Sequence, residues 1–332
     1  MIQSSFNFAP GRRALWVIVV GAAIAVAPQA AIAQKWPDKT VRIVTPFGPG
    51  GGTDVFARIL AQRLTEQHAQ QFIVENRPGA GSTLGTEHVA KSPPDGYTFL
   101  MTSASFSFNP GLYPKLRFDP VKDFVPVTQV VRVPHVIVVL PSFPAATLQE
   151  FVKIARARPN EVLYASSGPG SAMHLAGALF GMVTKTRLTH VPYKSGGATV
   201  TAVLGGEATT AFNTLETVIA QIRAKRVRAL AVSTRERSPA IPDIPTAAEA
   251  GVKDYEAVGW FGLFAPAGTP APIVQQLSAD VGKMMATPAL RDRAMQEGAT
   301  PIGSSPAEFQ QFVHSEIAKW TKIIKAAGIQ LE

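Results

Sequence analysis

Three short runs in this chain place glycine and a hydroxyl side chain just ahead of an apolar helical pattern. They are Gly50-Gly51-Gly52-Thr53, Gly79-Ala80-Gly81-Ser82 and Gly168-Pro169-Gly170-Ser171. A glycine-rich turn that runs into a helix exposes backbone N–H groups, and the aligned peptide dipoles add partial positive charge there. The chemistry this favours is capture of an anion, a carboxylate or a phosphate. Glycine at such a turn also serves simply to reach positive φ or to allow close packing, so one run alone says little. Three runs facing one cleft favour binding. Asp54 follows the first run. In a first helical turn an acid satisfies orphan N–H groups and repels a neighbouring anion, so the ligand is expected on the N–H groups and away from that carboxylate.

Catalytic and metal templates are missing. There is no G-x-x-x-x-G-K-[ST] phosphate loop and no G-x-S-x-G nucleophile elbow. Gly48-Pro49-Gly50 and Gly168-Pro169-Gly170 lack the third glycine of a dinucleotide fingerprint, and no cofactor is expected. The six histidines show no H-x-x-x-H or H-E-x-x-H spacing and cysteine is absent, so neither a metal site nor a disulfide framework is expected. His174 reads as a packing histidine with a ligand contact as the alternative. Ser171 beside it lacks a third orienting group for nucleophilic catalysis. The basic cluster Arg223, Lys225, Arg226 and Arg228 sits at a helix end and reads as a solvated face. Nucleic-acid binding is not expected, because no aromatic residues interleave a basic stripe. A net charge of +9 does suit an anionic ligand through long-range steering.

The elements that must hold these turns alternate. Val41–Pro46, Phe72–Val74 and Tyr97–Met101 read as strands, with helices over Asp54–Gln67 and Thr83–Lys91. The pattern recurs. Strands are expected at Val162–Ala165, Thr189–Tyr193, Ala208–Phe212 and Val227–Val232. Helices are expected at Ala172–Val183, Ala198–Leu204 and Leu215–Lys225. Thr102–Ser105, Lys194–Gly197 and Asn213-Thr214 read as strand-end turns, where open α/β sheets bind ligands. Two extended stretches, Val125–Leu140 and Val258–Pro266, could bridge the halves, and helices over Pro272–Met285 and Pro306–Ala327 would return to the first. The expected fold is α/β with two lobes, each a mostly parallel sheet flanked by helices. Residues 34–137 with 260–332 form lobe 1 and residues 138–259 form lobe 2. Two crossings make a cleft that can hinge.

The amino terminus reads as an export signal. Arg12 and Arg13 precede the apolar run Ala14–Ala27, and Ala31-Ile32-Ala33 offers small residues at −3 and −1 of a cleavage point. The run falls short of the roughly 20 residues that span a bilayer. Cleavage after Ala33 and a soluble periplasmic protein are expected.

On these residues the chain resembles the solute-binding receptors of tripartite tricarboxylate transporters, the Bug or TctC-like family. The stretches that carry the resemblance are WPDKTVRIVTPFGPGGGTDVFAR (36–58), ENRPGAGSTLG (75–85), PPDGYTFLM (93–101), SSGPGSAMHLAG (166–177), HVPYKSGG (190–197), VRALAVSTRERSPAIPDIPTAAEAG (227–251) and WFGLFAPAGTP (260–270). They run in order over the mature chain. The resemblance implies a type II periplasmic binding protein and no enzyme. It holds a small carboxylate-bearing solute between lobes and meets a membrane permease of one large and one small subunit. It points to Phe47, Gly50, Gly51, Gly52, Thr53, Gly81 and Ser82 as first-lobe contacts, with Thr102, Ser103 and Ser105 at the next turn. From the second lobe it points to Ser167, Gly170, Ser171, Ala172, Lys194, Asn213 and Thr214. A monomer is expected.

Departures from the family pattern bear on the ligand. The Gly and the Pro-Ala pair after HVPYK are here Ser195, Ala198 and Thr199. Acids that the family often carries in the strand 208–212 and at position 213 are absent, which points to a carboxylic acid without an amine, or to an uncharged distal end. The glycine that usually ends the following helix is Lys225, at a cost of roughly 1 kcal/mol if the position is left-handed. Phe47, Phe106, Phe108, Tyr193 and Trp260 are candidate apolar walls or ordinary core. Two rivals stand beside transport: a receptor that reports to a signalling partner, and an exported hydrolase using Ser171 or Ser103.

Overall fold

The parallel strands form where β-branched and apolar residues cluster between turn signals, and the helices form where apolar residues recur at three- and four-residue spacing. The computed structural model describes residues 1–5 and 36–327. Residues 6–35, which hold the apolar run of the leader and its cleavage point, and residues 328–332 lie outside the described residues. No helix among the described residues is long and apolar enough to cross a membrane.

Strands β1 (Val41–Thr45), β2 (Phe72–Asn76) and β3 (Thr98–Ser103) are joined by helices α1 (Gly52–His68) and α2 (Thr83–Ala90). Helix α3 (Ser105–Leu112) follows, and then the long strand β4 (Phe124–Val139) and helix α4 (Leu148–Ala157). Next come β5 (Leu163–Ser166), α5 (Ala172–Thr184), β6 (Thr189–Pro192), α6 (Gly196–Leu204), β7 (Thr210–Thr214), α7 (Leu215–Arg223) and β8 (Arg228–Val232). The chain closes with β9 (Val258–Pro266), α8 (Ala271–Ala286), α9 (Pro288–Gln296), the short β10 (Thr300–Pro301) and α10 (Pro306–Ala327).

The strands run in the order β2-β1-β3-β9-β4-β7-β5-β6, with β8 and β10 also pairing β4. β4 belongs to both ends. Its first part, through Pro134, pairs β9, and from His135 onward it pairs β7 and β8. On one side β2, β1 and β3 are parallel and β9 enters antiparallel between β3 and β4. On the other, β6, β5 and β7 are parallel and only β4 runs against them. Each half is thus a mostly parallel sheet, with β9 and the short β10 reversed in the first and β4 reversed in the second, and helices cover the faces.

Several local outcomes differ from the sequence reading. β3 continues through Thr102 and Ser103, and Ser105 already belongs to α3, so the expected turn is a single residue. Asn213 and Thr214 end β7 and do not form a turn. Phe106 stacks on Phe264 at 4.3 Å and meets Phe124 edge-on, and Phe108 packs against Trp320 at 4.5 Å, so both are core. Helices α3, α4 and α9 were not foreseen. α4 carries a legible signal, because Thr147 and Glu150 form a reciprocal capping box.

Candidate functional site

The first Gly-rich turn is anchored from a neighbouring strand. Asn76, at the end of β2, donates through Nδ2 to Thr45 Oγ1 (2.7 Å), Phe47 O (3.1 Å) and Asp54 Oδ1 (2.9 Å). Asp54 Oδ2 accepts from Arg58 Nε (2.9 Å) and the Gly50 N–H (3.1 Å). Burial pushes the Asp54 carboxyl up, but the bonds from Arg58, Asn76 and Gly50 outweigh it and hold the pKa below the usual range. This carboxylate is therefore ionised and spent within the turn. The N-cap of α1 is Gly51, which has no side chain to cap the helix. The first N–H groups of α1 are left to whatever occupies the cleft.

The other cleft helices behave differently. α5 is capped by Ser171 Oγ, which accepts the His174 N–H (3.2 Å), and α6 by Ser195 Oγ, which accepts the Ala198 N–H (3.3 Å). α7 begins at Thr214 without a side-chain cap, because the Thr214 hydroxyl donates instead to Glu216 Oε1.

Between the halves lies an inner space lined by Phe47, Gly51, Gly52, Thr53, Ser103, Ser167, Ala172 and Thr214 of the expected contacts. Met173, Ser195, Gly196, Glu216, Thr217, Gly259, Trp260 and Phe261 complete it. It measures about 40 Å³, where one water needs roughly 10–15 Å³. An outer space of about 810 Å³ is lined by Gly81, Ser82, Tyr193 and Lys194, and it shares Phe47, Ser167 and Ser195 with the inner one. The two halves touch across it. A Cβ on Gly81 would overlap the Pro169 carbonyl, and one on Gly48 would come within 3.5 Å of Lys194 O. Glycine is required at position 81 for this approach as well as for its φ of 60°.

The remaining expected contacts line neither space. Gly50 gives its N–H to Asp54, and Gly170 gives its own to His174 Nδ1 (3.1 Å). Ser171 is used as a cap. Asn213 is fully buried and donates to Gly196 O, Thr199 Oγ1 and Thr217 Oγ1. Thr102 is buried in β3 with an unpaired hydroxyl. Ser105 joins Ser82 (3.0 Å) and Ser103 (3.1 Å) in a buried hydroxyl cluster, with Asn109 donating to Ser82 (3.3 Å).

His174 and His190 stack at 4.0 Å. Burial and the neighbouring imidazole pull His174 down to about 3, and burial pulls His190 down to about 4. Neutral His174 can accept the Gly170 N–H, which fixes the third Gly-rich turn. No group of three or more potential metal ligands occurs among the described residues.

Sequence reasoning missed Glu216, Thr217, Met173, Gly259 and Phe261. Glu216 had a signal, an acid just after a strand-end turn, which is the position Asp54 holds in the first half.

The fold and site define a two-halved α/β binding protein whose cleft exposes an uncapped helix start. Residues 56–329 match the family model described as tripartite tricarboxylate transporter family receptor. The chain belongs to this family, whose members are periplasmic solute-binding receptors and not enzymes. It is 35% identical over 318 residues to Protein BugT of Bordetella pertussis, covering 95% of this chain and 98% of that one. Among solved structures it is similar to R. palustris Rpa4515 with adipate (37% identity, TM-score 0.86, 89% of this chain and 100% of that one). It is also similar to MatC (Rpa3494) from Rhodopseudomonas palustris with bound malate (32% identity, TM-score 0.83, 87% and 99%).

Proposed function

We propose that this chain captures a small carboxylate-bearing solute in the inner space and delivers it to a permease of one large and one small membrane subunit. The observation that carries the reading is the start of α1. Its N–H groups have no side-chain cap, its own acid is neutralised by Arg58, and Gly51, Gly52 and Thr53 line the space. An anion there gains hydrogen bonds and the helix dipole together. The bound adipate and malate of two relatives support the class of solute.

Residues 34–137 with 260–332 form one lobe and residues 138–259 the other. The hinge lies in β4 and β9, where the chain passes between sheets. The inner space lies between the lobes, so entry requires them to part and capture requires them to close. The protein is exported to the periplasm, processed after Ala33, and acts as a monomer. The test is a thermal-shift panel on Gln34–Glu332, stripped of ligand by unfolding and refolding. Its probes are mono-, di- and tricarboxylates, amino acids and phosphates. A ligand at about 100 times its Kd adds about 2.7 kcal/mol, a shift of a few degrees. Selective stabilisation by carboxylates is expected. Silence from every carboxylate, or a response to phosphates alone, would overturn the assignment.

A further inference from the structure

Among the residues lining the inner space, Glu216 is the single titratable one. Its carboxyl lies in the first turn of α7 and presses on the start of α1. A Cβ on Gly52 would overlap Oε1 and approach Phe261 Cζ to 2.7 Å, so carboxyl, aromatic ring and α1 backbone meet at one point. Oε1 accepts from Thr214 Oγ1, while Oε2 is buried without a partner. The side-chain stem is partly exposed, but that oxygen is not. Trp260 lines the same space, and its buried indole N–H is also unpaired.

Burial pushes the Glu216 carboxyl up to about 8. The bonds from Thr214 and from its own backbone N–H oppose this, and the charge of Glu297, just past α9, adds to it. Apart from the uncapped start of α1, whose dipole favours the ionised form, no facing side chain supplies a countercharge. On α1, Asp54 is paired with Arg58. β9, β3 and α6 carry no titratable residue, and Arg223 at the end of α7 donates to Gln296 O. At neutral pH the group is a neutral acid, and a neutral acid is a donor.

We propose that Glu216 is a specificity-determining residue of the site, donating its carboxyl proton through Oε2 to the solute's carboxylate while the α1 N–H groups hold the same carboxylate from the other lobe. This rests on the solute-receptor reading above. The solute is then taken as an anion with one proton shared between two carboxyl groups, a short charge-assisted O–H···O⁻ bond. Ionised Glu216 would instead repel that anion. An amine beside the carboxylate is selected against, since its N–H groups meet only donors and the positive dipole end on the α1 side and would need Glu216 ionised.

The test is calorimetric titration of the mature receptor with adipate and with malate from pH 6 to pH 9.5, in pairs of buffers of different ionisation enthalpy. Wild-type affinity should be level at low pH and weaken above about pH 8, approaching tenfold per pH unit, with uptake of up to about one proton on binding there. Glu216→Gln keeps a donor and should bind within about tenfold of wild type at pH 6 with no slope. Glu216→Ala should bind more weakly at pH 6, again with no slope.

A wild-type profile that is level through pH 9.5, or a slope that survives in Glu216→Gln, overturns the proposal. So does affinity for an amino acid that rises with pH and is lost in Glu216→Gln, which would make Glu216 an ionised acceptor. The wild-type profile and its proton uptake decide the matter even if a variant does not fold. Failure of every carboxylate to bind wild type at any pH would overturn the receptor reading itself, a result separable from pH-independent binding.

Discussion

Helices α1 and α7 start on opposite sides of one space and are built alike. Each begins without a side-chain cap, each has one acid in its first turn, and each has its final turn followed by a non-glycine residue at positive φ, Ala69 and Lys225. Their acids carry opposite charge states. Asp54 is buried yet ionised, because a guanidinium, an amide and a backbone N–H converge on it. Glu216 is half-buried with its Oε2 shielded, meets the Thr214 hydroxyl and its own backbone N–H, and is still pushed up to about 8 by desolvation. The same functional group at almost the same helical position becomes a fixed counterion in one half and a proton donor in the other. What differs is the number of donors that reach it.

Variants that touch both helices should show the largest effect. Gly52→Val would drive a side chain into the Glu216 carboxyl and Phe261. Affinity for whichever carboxylate stabilises the wild type, read by calorimetry, should fall by about a hundredfold or more, at an overpacking cost of about 1–3 kcal/mol in urea unfolding. Binding at wild-type strength would show that the α1–α7 contact is not part of the site.

Asp54→Ala breaks the first arm alone. It strips Arg58 and Asn76 of their shared acceptor and should cost about 1–3 kcal/mol, seen as a lower urea midpoint. An unchanged midpoint would mean that those hydrogen bonds are replaced by water at no cost.

The pH dependence of stability sharpens the contrast, because the two acids have opposite signs. The Asp54 pKa is lowered on folding, so its contribution is present above its ordinary 3.8 and is lost as pH falls through the depressed value. The Glu216 pKa is raised, so its contribution is intact below about 4.5 and is lost as pH rises through about 8. Glu216→Gln should flatten the loss of melting temperature between pH 5 and pH 8, a change of a few degrees. The His174–His190 pair adds an acid-side loss: both values are lowered on folding, so their contribution is present above the ordinary 6.5 and is lost as pH falls from there through about 4 and about 3.

The smallest effect belongs to the helix ends. Lys225→Gly and Ala69→Gly each relieve a left-handed residue and should stabilise by up to about 1 kcal/mol, with adipate affinity untouched.

Much of this was legible in sequence. The periodicity of Val55, Phe56, Ile59, Leu60 and Leu64 marked α1 within two residues of its observed start. The run 125–140 marked β4, which pairs in both halves, and the run 258–266 marked β9, which pairs only β3 and β4. The left-handed Lys225 was readable from the glycine it replaces. The site was only half legible. Glycine-rich runs announce exposed N–H groups, yet not which of those groups are already taken. Gly50 and Gly170 look like binding residues in sequence and are consumed by Asp54 and His174 in space. Asn213 reads as a turn residue and is a buried strut.

Order along the chain, turn chemistry and hydrophobic period are local properties, so the sequence by itself determined the αβ alternation, the crossing strands and the anion-seeking character of α1. The packing of β7–α7 against α1 joins residues more than 150 positions apart. Only the tertiary structure decided that Glu216 would meet Gly52, lose water, and find no cationic partner like the Arg58 of Asp54. Solvation and partner count set a carboxyl's charge, and both are properties of the packed interior.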